Sequence, residues 1–183
     1  MVDRQFSDAA LAALYDAFCA GSPDFAFYLP MVMSARSVLD IGCGTGALLH
    51  ATREAGHAGR LCGLDPADGM LQQARKRSDI DWILGDLSTV AWDREFDLVV
   101  MTGHAFQVLL GDDEFVSFTT TYTNPSWDRP QTSRSTLRFL DQKSLSVFLS
   151  DAGLLIEEQY GYWDRRPLTQ ASPEIITIAR RHR

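Results

Sequence analysis

The stretch Val38-Leu39-Asp40-Ile41-Gly42-Cys43-Gly44-Thr45-Gly46 decides the fold. A short apolar strand runs into three alternating glycines, and residues 45–56 then carry a helical pattern that Gly56 would end. Glycine permits a positive φ and has no Cβ to hold a ligand away from the backbone. The start of the helix adds free N–H groups. The stretch therefore predicts a nucleotide- or nucleoside-binding turn at the carboxyl end of a first strand.

Strands and helices alternate after this turn. Residues 60–65, 81–86 and 96–102 are short apolar runs that predict strands, and residues 66–77 predict a helix with basic residues in its last turn. Parallel strands joined by such crossovers form one sheet of an α/β fold. We therefore expect a doubly wound, mainly parallel sheet with helices on both faces.

The N-terminal residues are helical in pattern. Residues 7–20 predict one amphipathic helix, and Ser22 followed by Pro23 predicts the start of a second helix that Pro30 would kink or end. We expect residues 1–34 to form this N-terminal helical segment, ahead of a cofactor-binding half over residues 37–110.

The second half has a different pattern. Residues 115–123 and 133–140 are β-rich and flank a turn-forming loop, which predicts an antiparallel hairpin; residues 115–140 are the candidate lid, with Trp127, Arg129 and Arg138 in it. Residues 141–183 predict a C-terminal helix and strands, the last of them antiparallel. In that helix Asp141 is the expected N-cap, and the residues expected to face inward are Leu145, Phe148 and Leu149.

Composition narrows the class of protein. The chain has 183 residues, 45% of them hydrophobic, and a net charge of -7, which suits a single domain, here 1–183, and excludes a disordered chain. The acidic balance opposes nucleic-acid binding, which depends on Lys and Arg. Three cysteines without C-x-x-C spacing indicate neither a disulfide framework nor a metal site. No apolar run suits a membrane span or a secretory signal, so we expect a soluble, cytoplasmic protein.

Two classes of nucleotide ligand fit the glycine turn at first sight. Gly42, Gly44 and Ala47 satisfy the loose dinucleotide pattern G-x-G-x-x-[GA], and Asp65 lies about 20 residues further on, where an acid would bind ribose hydroxyls. One interpretation is therefore an NAD(P)-dependent oxidoreductase. Against it, the chain has no Tyr-x-x-x-Lys pair and no other recognisable catalytic residues for that reaction.

Three other residues favour a ligand without phosphate. Asp40 precedes the turn and would face a pyrophosphate, where an acid is unfavourable, and Gly46 is a glycine that a dinucleotide turn does not require. Asp86 follows the third strand and is placed to accept from an exocyclic amine. A cationic nucleoside such as S-adenosylmethionine suits these acids.

Four segments in order carry a resemblance to a known family. VLDIGCGTG, GLDPADGMLQQAR, ILGDL and FDLVVMTGHAFQVLL, all between Val38 and Leu110, are similar to the motifs of class I S-adenosylmethionine-dependent methyltransferases, which have a Rossmann-like fold. The resemblance implies S-adenosyl-L-methionine as cofactor. The cofactor-binding residues it implies are Tyr28, Asp40, Gly42, Cys43, Gly44, Gly46, Asp65, Pro66, Met70, Asp86, Leu87, Thr102 and Gly103.

Within that set the resemblance assigns roles. The three glycines would wrap the methionine end of the cofactor, Asp65 would bind the ribose, and Pro66 with Met70 would line the adenosine. Asp86 and the backbone of Leu87 would meet the adenine, while Thr102 and Gly103 would border the transferring methyl group. From their position alone, Tyr15 and Tyr28 would close over the cofactor. For Met70 a place in the core fits as well, and Cys43 is interpreted as a small residue that fits the turn.

Methyl transfer from a sulfonium depends mainly on positioning and desolvation. A base is needed only if the acceptor must lose a proton, and His104 is the candidate because it follows the fourth strand at the mouth of the site. Its alternative role is to hydrogen-bond or shape the loop. Phe106 and Gln107 are further pocket candidates. Residues 160–165 would either face the acceptor or pack against a strand end.

Two motifs indicate which class of molecule accepts the methyl group. Methyltransferases acting on amino groups of nucleic-acid bases show an (Asn/Asp)-Pro-Pro-aromatic turn after the fourth strand, where this chain has Met-Thr-Gly-His. Asn124-Pro125-Ser126-Trp127 is similar but lies in the later loop, and we interpret it as unrelated. We therefore expect a small-molecule acceptor and no nucleic-acid partner; a homodimer is left open.

The chain departs from the family between Leu110 and Thr119. No further helix and no clear fifth parallel strand follow the fourth strand. Either residues 115–122 stand in for that strand, or a helix and a strand have been lost, or two segments are joined across a gap. This departure leaves an alternative function open. The protein would bind S-adenosylmethionine without catalysing a reaction, because its acceptor pocket would be degenerate.

Overall fold

A four-stranded parallel sheet is the centre of the computed structural model, which describes residues 2–19, 21, 23–108 and 115–182. Neighbouring strands follow the order β3-β2-β1-β4, and every pair is parallel. The expected α/β fold is confirmed. The strands are β1 (Ser37–Ile41), β2 (Arg60–Asp65), β3 (Asp81–Leu84) and β4 (Leu98–Val100).

Strand β1 divides the core because its side chains alternate between the two faces of the sheet. Val38 packs with Leu49 and Val32, which come from the helices α5 (Ala47–Glu54) and α4 (Asp24–Ser34). Leu39 and Ile41 pack with Cys62 and Leu64 of β2 in a second cluster. The partly buried residues that pack against this second cluster are Ile83, Val90, Trp92, Phe96 and Met101.

The N-terminal residues form three short helices, and the single helix expected over residues 7–20 is wrong. One break lies at Asp8, whose carboxylate accepts hydrogen bonds from the backbone N–H groups of Ala10 and Leu11 and so starts a new helix. A second break lies at Ala13 and Leu14, which form a turn. The three helices are α1 (Arg4–Ser7), α2 (Ala9–Ala12) and α3 (Tyr15–Phe18).

Helix α4 contains Pro30 and continues to Ser34, so this proline does not end it. The helix begins at Asp24, so Pro23 is its N-cap and not its first helical residue as expected, and the predicted cap Ser22 lies outside the described residues. Helix α5 begins after Gly46, and Gly56 follows its end with φ +93°. Helix α6 (Asp68–Ala74) then lies between β2 and β3.

Two antiparallel hairpins follow the sheet. The expected pairing of β5 (Phe115–Tyr122) with β6 (Gln131–Arg138) is confirmed, and β7 (Leu154–Tyr160) pairs with β8 (Ile176–Arg181). Among the described residues each hairpin is a separate two-stranded sheet. The alternative in which residues 115–122 replace a fifth parallel strand is therefore wrong, because their ladder partner is β6.

Helix α7 (Gln142–Asp151) precedes β7, and the Asp141 carboxylate caps it by accepting from the Ser144 N–H at 2.7 Å, as expected. Leu145 is buried, as predicted, but Phe148 is 49% exposed, which corrects the prediction that it faces inward. Its ring instead contacts Phe106 of the 3₁₀ turn after β4. Within the described ranges, no helix has the length and apolarity needed to cross a membrane.

Candidate active site

The glycine turn is tied to the end of β2. The N–H groups of Gly42 and Cys43 both donate to the carbonyl of Leu64, at 2.8 and 3.2 Å, and the N–H of Gly44 donates to Asp65 Oδ2 at 2.8 Å. The turn therefore has a fixed shape before any ligand binds, which lowers the entropic cost of binding.

The three glycines of the turn meet different surroundings. A Cβ on Gly46 would run into the Trp82 ring, and a Cβ on Gly42 would overlap Ala105, so both positions need glycine for packing inside the protein. A Cβ on Gly44 would meet open space. Because Gly44 also has φ +56°, its backbone is the part of the turn that a ligand can approach closely.

Asp40 lies under this turn in an unusual state for a carboxylate. It is 1% exposed, and its Oδ1 has no hydrogen-bond partner. Burial, with a smaller contribution from the charge of Asp65, raises the pKa of Asp40 to about 8. A buried acceptor without a partner is costly, and a cationic ligand would satisfy it.

Asp65 joins the turn to helix α6. Its Oδ1 accepts from the Ala67 N–H and its Oδ2 from the Gly44 N–H, both at 2.8 Å. Burial raises the pKa of Asp65, and these two backbone bonds partly oppose that rise. Each oxygen keeps a free lone pair, so the same carboxylate can still accept from ribose hydroxyls.

Cys43 is buried, and its side chain packs beside Gly63. Burial, followed by the charges of Asp40 and Asp65, raises the pKa of the Cys43 thiol well above its usual value. A thiol held protonated in this way is a poor nucleophile. The structure supports the reading of Cys43 as a residue that fits the turn.

The end of β3 brings Asp86 toward the same edge of the sheet, because the Gly85 N–H donates to the Asp65 carbonyl at 3.0 Å. Asp86 is exposed and accepts from the side chain and the N–H of Ser88, which lowers the pKa of Asp86. Leu87 beside it is 45% exposed. Both residues are accessible to a ligand at this edge.

The turn after β4 has two consecutive residues in the left-handed region. Gly103 has φ +57° and His104 has φ +68°, and His104 is exposed. The Ala105 N–H donates to the Thr102 carbonyl at 3.0 Å, which closes the turn. A Cβ on Gly103 would lie 3.7 Å from the Tyr15 hydroxyl, so α3 reaches this turn as position alone suggested.

The residues expected to line the adenosine are divided between core and surface. Met70 is 2% exposed and packs with Ala12 and Ala67, between α2 and α6. Pro66 is exposed. The packing of Met70 matches the alternative in which it belongs to the core.

Tyr28 of α4 is half-buried, with its ring against Phe27 and Trp163. Burial, followed by the charges of Asp24 and Asp40, raises the pKa of the Tyr28 hydroxyl. The hydroxyl therefore lies within electrostatic reach of the unpartnered carboxylate under the glycine turn.

Within residues 160–165, Tyr160 and Trp163 pack on α4. The rings of Tyr160 and Trp163 both lie 5.8 Å from the Phe27 ring, measured between centroids. Of the two expectations for this cluster, packing is what the structure shows, and the partner is α4. Contact of this cluster with an acceptor stays a prediction.

Two groups of contacts had no signal in the sequence. The Thr45 hydroxyl donates to Asp16 Oδ1 at 2.5 Å, which links α3 to the glycine turn. Gln5 bonds across to the candidate lid hairpin, where its partners are the side chains of Tyr122, Ser133 and Ser135. These residues are far apart in the chain and follow no recognisable spacing, so only the folded structure reveals them.

The Asn124-Pro125-Ser126-Trp127 segment forms a local turn. Asn124 Oδ1 accepts from the Ser126 N–H at 2.9 Å, and the Trp127 N–H donates to the Asn124 carbonyl at 3.0 Å. This is an ordinary Asx turn between β5 and β6. In the part of the chain that is described, no group of three ligating side chains is placed to hold a metal ion.

The first half of the chain is the part that is similar in sequence to known proteins. Residues 38–123 match the family model described as a methyltransferase domain. A cypemycin N-terminal methyltransferase from a Streptomyces species is 33% identical over 88 residues, which cover 46% of this chain and 35% of that protein. A malonyl-[acyl-carrier protein] O-methyltransferase from Anoxybacillus flavithermus is 29% identical over 105 residues, or 55% of this chain and 40% of that protein. The chain thus matches well under half the length of these curated relatives.

Solved structures extend the similarity to the whole fold. The CcbJ methyltransferase of Streptomyces caelestis superposes with a TM-score of 0.72 at 16% identity, over 90% of this chain and 98% of that one. A TehB-like S-adenosylmethionine-dependent methyltransferase from Corynebacterium glutamicum gives 0.61 at 20% identity, over 94% and 96%. The parallel sheet and its glycine turn have a Rossmann-like fold. Residues 38–123 are thus similar to a methyltransferase domain, and the chain as a whole shares the fold of these methyltransferases.

Proposed function

We propose that this protein transfers a methyl group from S-adenosylmethionine to a small-molecule acceptor. One observation carries the proposal: the buried Asp40 carboxylate has an unpartnered oxygen beneath the turn whose backbone is open at Gly44. An ammonium or sulfonium group would stabilise the ionised form of Asp40, whereas the negative pyrophosphate of NAD would disfavour its ionisation further. The relatives named above act on cypemycin and on a malonyl-carrier protein, and neither name includes a nucleic acid.

The residues around the turn fit that cofactor. Asp40 would hold its cationic end, and Asp65, whose carboxylate also stabilises the turn, would accept from the ribose. Asp86 and Leu87, exposed at the same edge, would meet the adenine. When bound, the cofactor supplies a methyl group on a sulfonium, which is a good leaving group. The chain's own contribution is to orient that group, exclude water and place the acceptor in line.

His104 is the proposed general base, and its left-handed backbone suggests a clean test. His104→Asn removes the base and keeps a residue that tolerates positive φ, while His104→Gly removes the side chain altogether. We expect both variants to bind S-adenosylhomocysteine like the wild type and to lose roughly 100-fold in kcat for an acceptor that must be deprotonated. Wild-type rates in both variants across the pH range would remove this role.

A non-catalytic cofactor-binding protein is the second candidate, and the edge of the sheet favours it. β4 pairs with β1 on one side, and Val99 within it is 51% exposed. The elements that border the acceptor side are thus less completely packed than those that border the cofactor. Turnover of any acceptor would exclude this candidate.

The first experiment is thermal unfolding with S-adenosylhomocysteine and, separately, with NAD. A ligand present at about 100 times its dissociation constant adds about 2.7 kcal/mol, which is roughly 5–11 °C for a domain of this size. We expect a shift with S-adenosylhomocysteine alone. A shift with NAD alone would overturn the proposal. The homodimer and the cytoplasmic location stay predictions.

A further inference from the structure

Strand β5 has a free edge that is open to solvent. β5 pairs with β6 along one side, and along its other side it pairs with no strand of the described residues. Six of its eight residues are exposed, among them Phe115, Val116 and Phe118 at 51%, 53% and 42%. The backbone N–H and C=O groups along such an edge are a template with which another strand can pair.

The composition of β5 favours such pairing. Residues 115–122, FVSFTTTY, contain no charged residue, no proline and no glycine. Every residue except Ser117 is aromatic or β-branched, and these are the types that fit a sheet best. Proteins usually protect an exposed edge with charged side chains, with proline or by keeping the strand short. β5 has none of these protections.

The other edge strands of the described residues do have them. β4 is only three residues long, and β3 carries Asp81. β6 carries Arg134 and Arg138. β7 contains the acidic pair 157–158, and β8 ends in the basic pair 180–181. Among the edge strands that the structure describes, β5 alone is both long and uncharged.

A second copy of the chain is the partner that this edge fits. A strand can pair antiparallel with its own copy across a two-fold axis perpendicular to the sheet, because such an interface uses the same surface twice. The chain has a net charge of -7, so much of its surface repels another copy. Two copies can meet at β5 without bringing like charges together, since the strand carries none.

An axis that passes beside Phe118 gives a self-complementary register. The Phe118 rings of the two copies would then lie opposite each other, and Val116 of each copy would lie opposite Thr120 of the other. Aromatic pairs and pairs of β-branched residues stabilise a sheet when they lie directly opposite each other. The two hairpins would form one four-stranded antiparallel sheet in the order β6-β5-β5-β6.

We propose that the free edge of β5 is the interface of a homodimer, in which two copies of the chain pair β5 with β5 in this register. Because β5 belongs to the candidate lid hairpin, the dimer joins the hairpins of both copies. The interface depends on the strand alone, so it stands whether or not the protein transfers a methyl group.

Sedimentation velocity over a range of protein concentrations measures the dimer directly. Phe118→Lys and Phe118→Glu each place like charges opposite each other at the axis, whereas an equimolar mixture of the two variants places opposite charges there. Arg134→Glu is the matched control, because it changes the charge of the same hairpin on β6, away from the free edge of β5.

We expect the wild type and Arg134→Glu to dimerise with the same dissociation constant. Each Phe118 variant alone should weaken the dimer by about 100-fold, because like charges that lie directly opposite each other repel. The mixture should recover the dimer, which would also show that both variant chains are folded. A monomeric wild type, unchanged dimers in both Phe118 variants, or a mixture that stays monomeric would overturn the interface.

Amide hydrogen exchange of the wild type tests the same interface without a substitution. The samples lie at protein concentrations above and below the measured dissociation constant of the dimer. Exchange in residues 115–122 should be slower in the dimer, and exchange in β1 and β2 should be the same in both samples. Equal protection of β5 in monomer and dimer would mean that another segment of the chain covers this edge, and would overturn the proposal.

Discussion

The parallel sheet and the two hairpins that follow it are built in different ways. Leu49 and Leu64, on opposite sides of the sheet, are almost completely buried, as is usual for parallel strands. Leu155 on β7 is 44% exposed, and Phe118 on β5 is also exposed. Hairpin β5–β6 is held to the N-terminal helices by polar contacts such as those of Gln5. The proposed cofactor side of the site thus lies on a packed core, whereas the proposed acceptor side is held by hydrogen bonds and ring contacts.

Truncating one leucine in each region should change the free energy of unfolding by clearly different amounts, and this is the largest effect that we expect. Leu49→Ala removes a fully buried side chain and should cost about 2–5 kcal/mol of unfolding free energy, because it leaves a cavity. Leu155→Ala, at a half-exposed position, should cost less than about 1 kcal/mol. Urea unfolding measures both. Equal costs would show that the second region is packed as tightly as the first.

The buried acid makes the stability of the ligand-free protein depend on pH. The folded-state pKa of Asp40 is about 8, above the ordinary value of 3.8, so folding retains a proton that the unfolded chain releases between these values. The contribution of Asp40 is greatest below pH 4 and is lost as the pH rises toward 8, by at most about 1.4 kcal/mol per pH unit. Asp40→Asn should flatten this fall in a series of melting curves. An unchanged slope in the variant would contradict the assignment.

Substitutions at two glycines of the turn should affect stability and ligand binding to different degrees. Gly46→Ala meets both the Trp82 ring and a left-handed backbone, and should cost about 2–4 kcal/mol of stability. Gly44→Ala meets only the backbone strain, about 1–2 kcal/mol, yet it places a methyl group at the open side of the turn. We expect the larger loss of S-adenosylhomocysteine affinity from Gly44→Ala. The reverse order would place the ligand elsewhere.

Much of the first region could be predicted from the sequence, because its signals are local. The apolar runs and the alternating glycines fix the four strands and the turn, and Asp40 follows from its place in the run. The second region depends on contacts between distant residues, such as Asp16 with Thr45 or Phe27 with Arg165. Short-range patterns carry no record of these pairings. The prediction that Phe148 faces inward was wrong for the same reason. Helical spacing shows which residues share a face of the helix, but it does not show which other element covers that face.

Loss of the contacts between Gln5 and the candidate lid hairpin should have a small effect, confined to one region. Gln5→Ala removes side-chain bonds to Ser135 and Tyr122 and should cost about 1–2 kcal/mol. Amide hydrogen exchange should then rise in β5 and β6 and stay unchanged in β1 and β2. Faster exchange in the parallel strands as well would show that the two regions unfold together.

The most direct test of the central claim compares two ligands on two chains near pH 8, where ionisation of Asp40 is accessible. S-adenosylhomocysteine carries an ammonium group, and methylthioadenosine keeps the nucleoside and thioether without the amino-acid part. If Asp40 holds the cationic end, Asp40→Asn should weaken S-adenosylhomocysteine by about 1.5–3 kcal/mol in calorimetry and leave methylthioadenosine within about 0.5 kcal/mol. Equal weakening of both ligands, or of neither, would contradict the account.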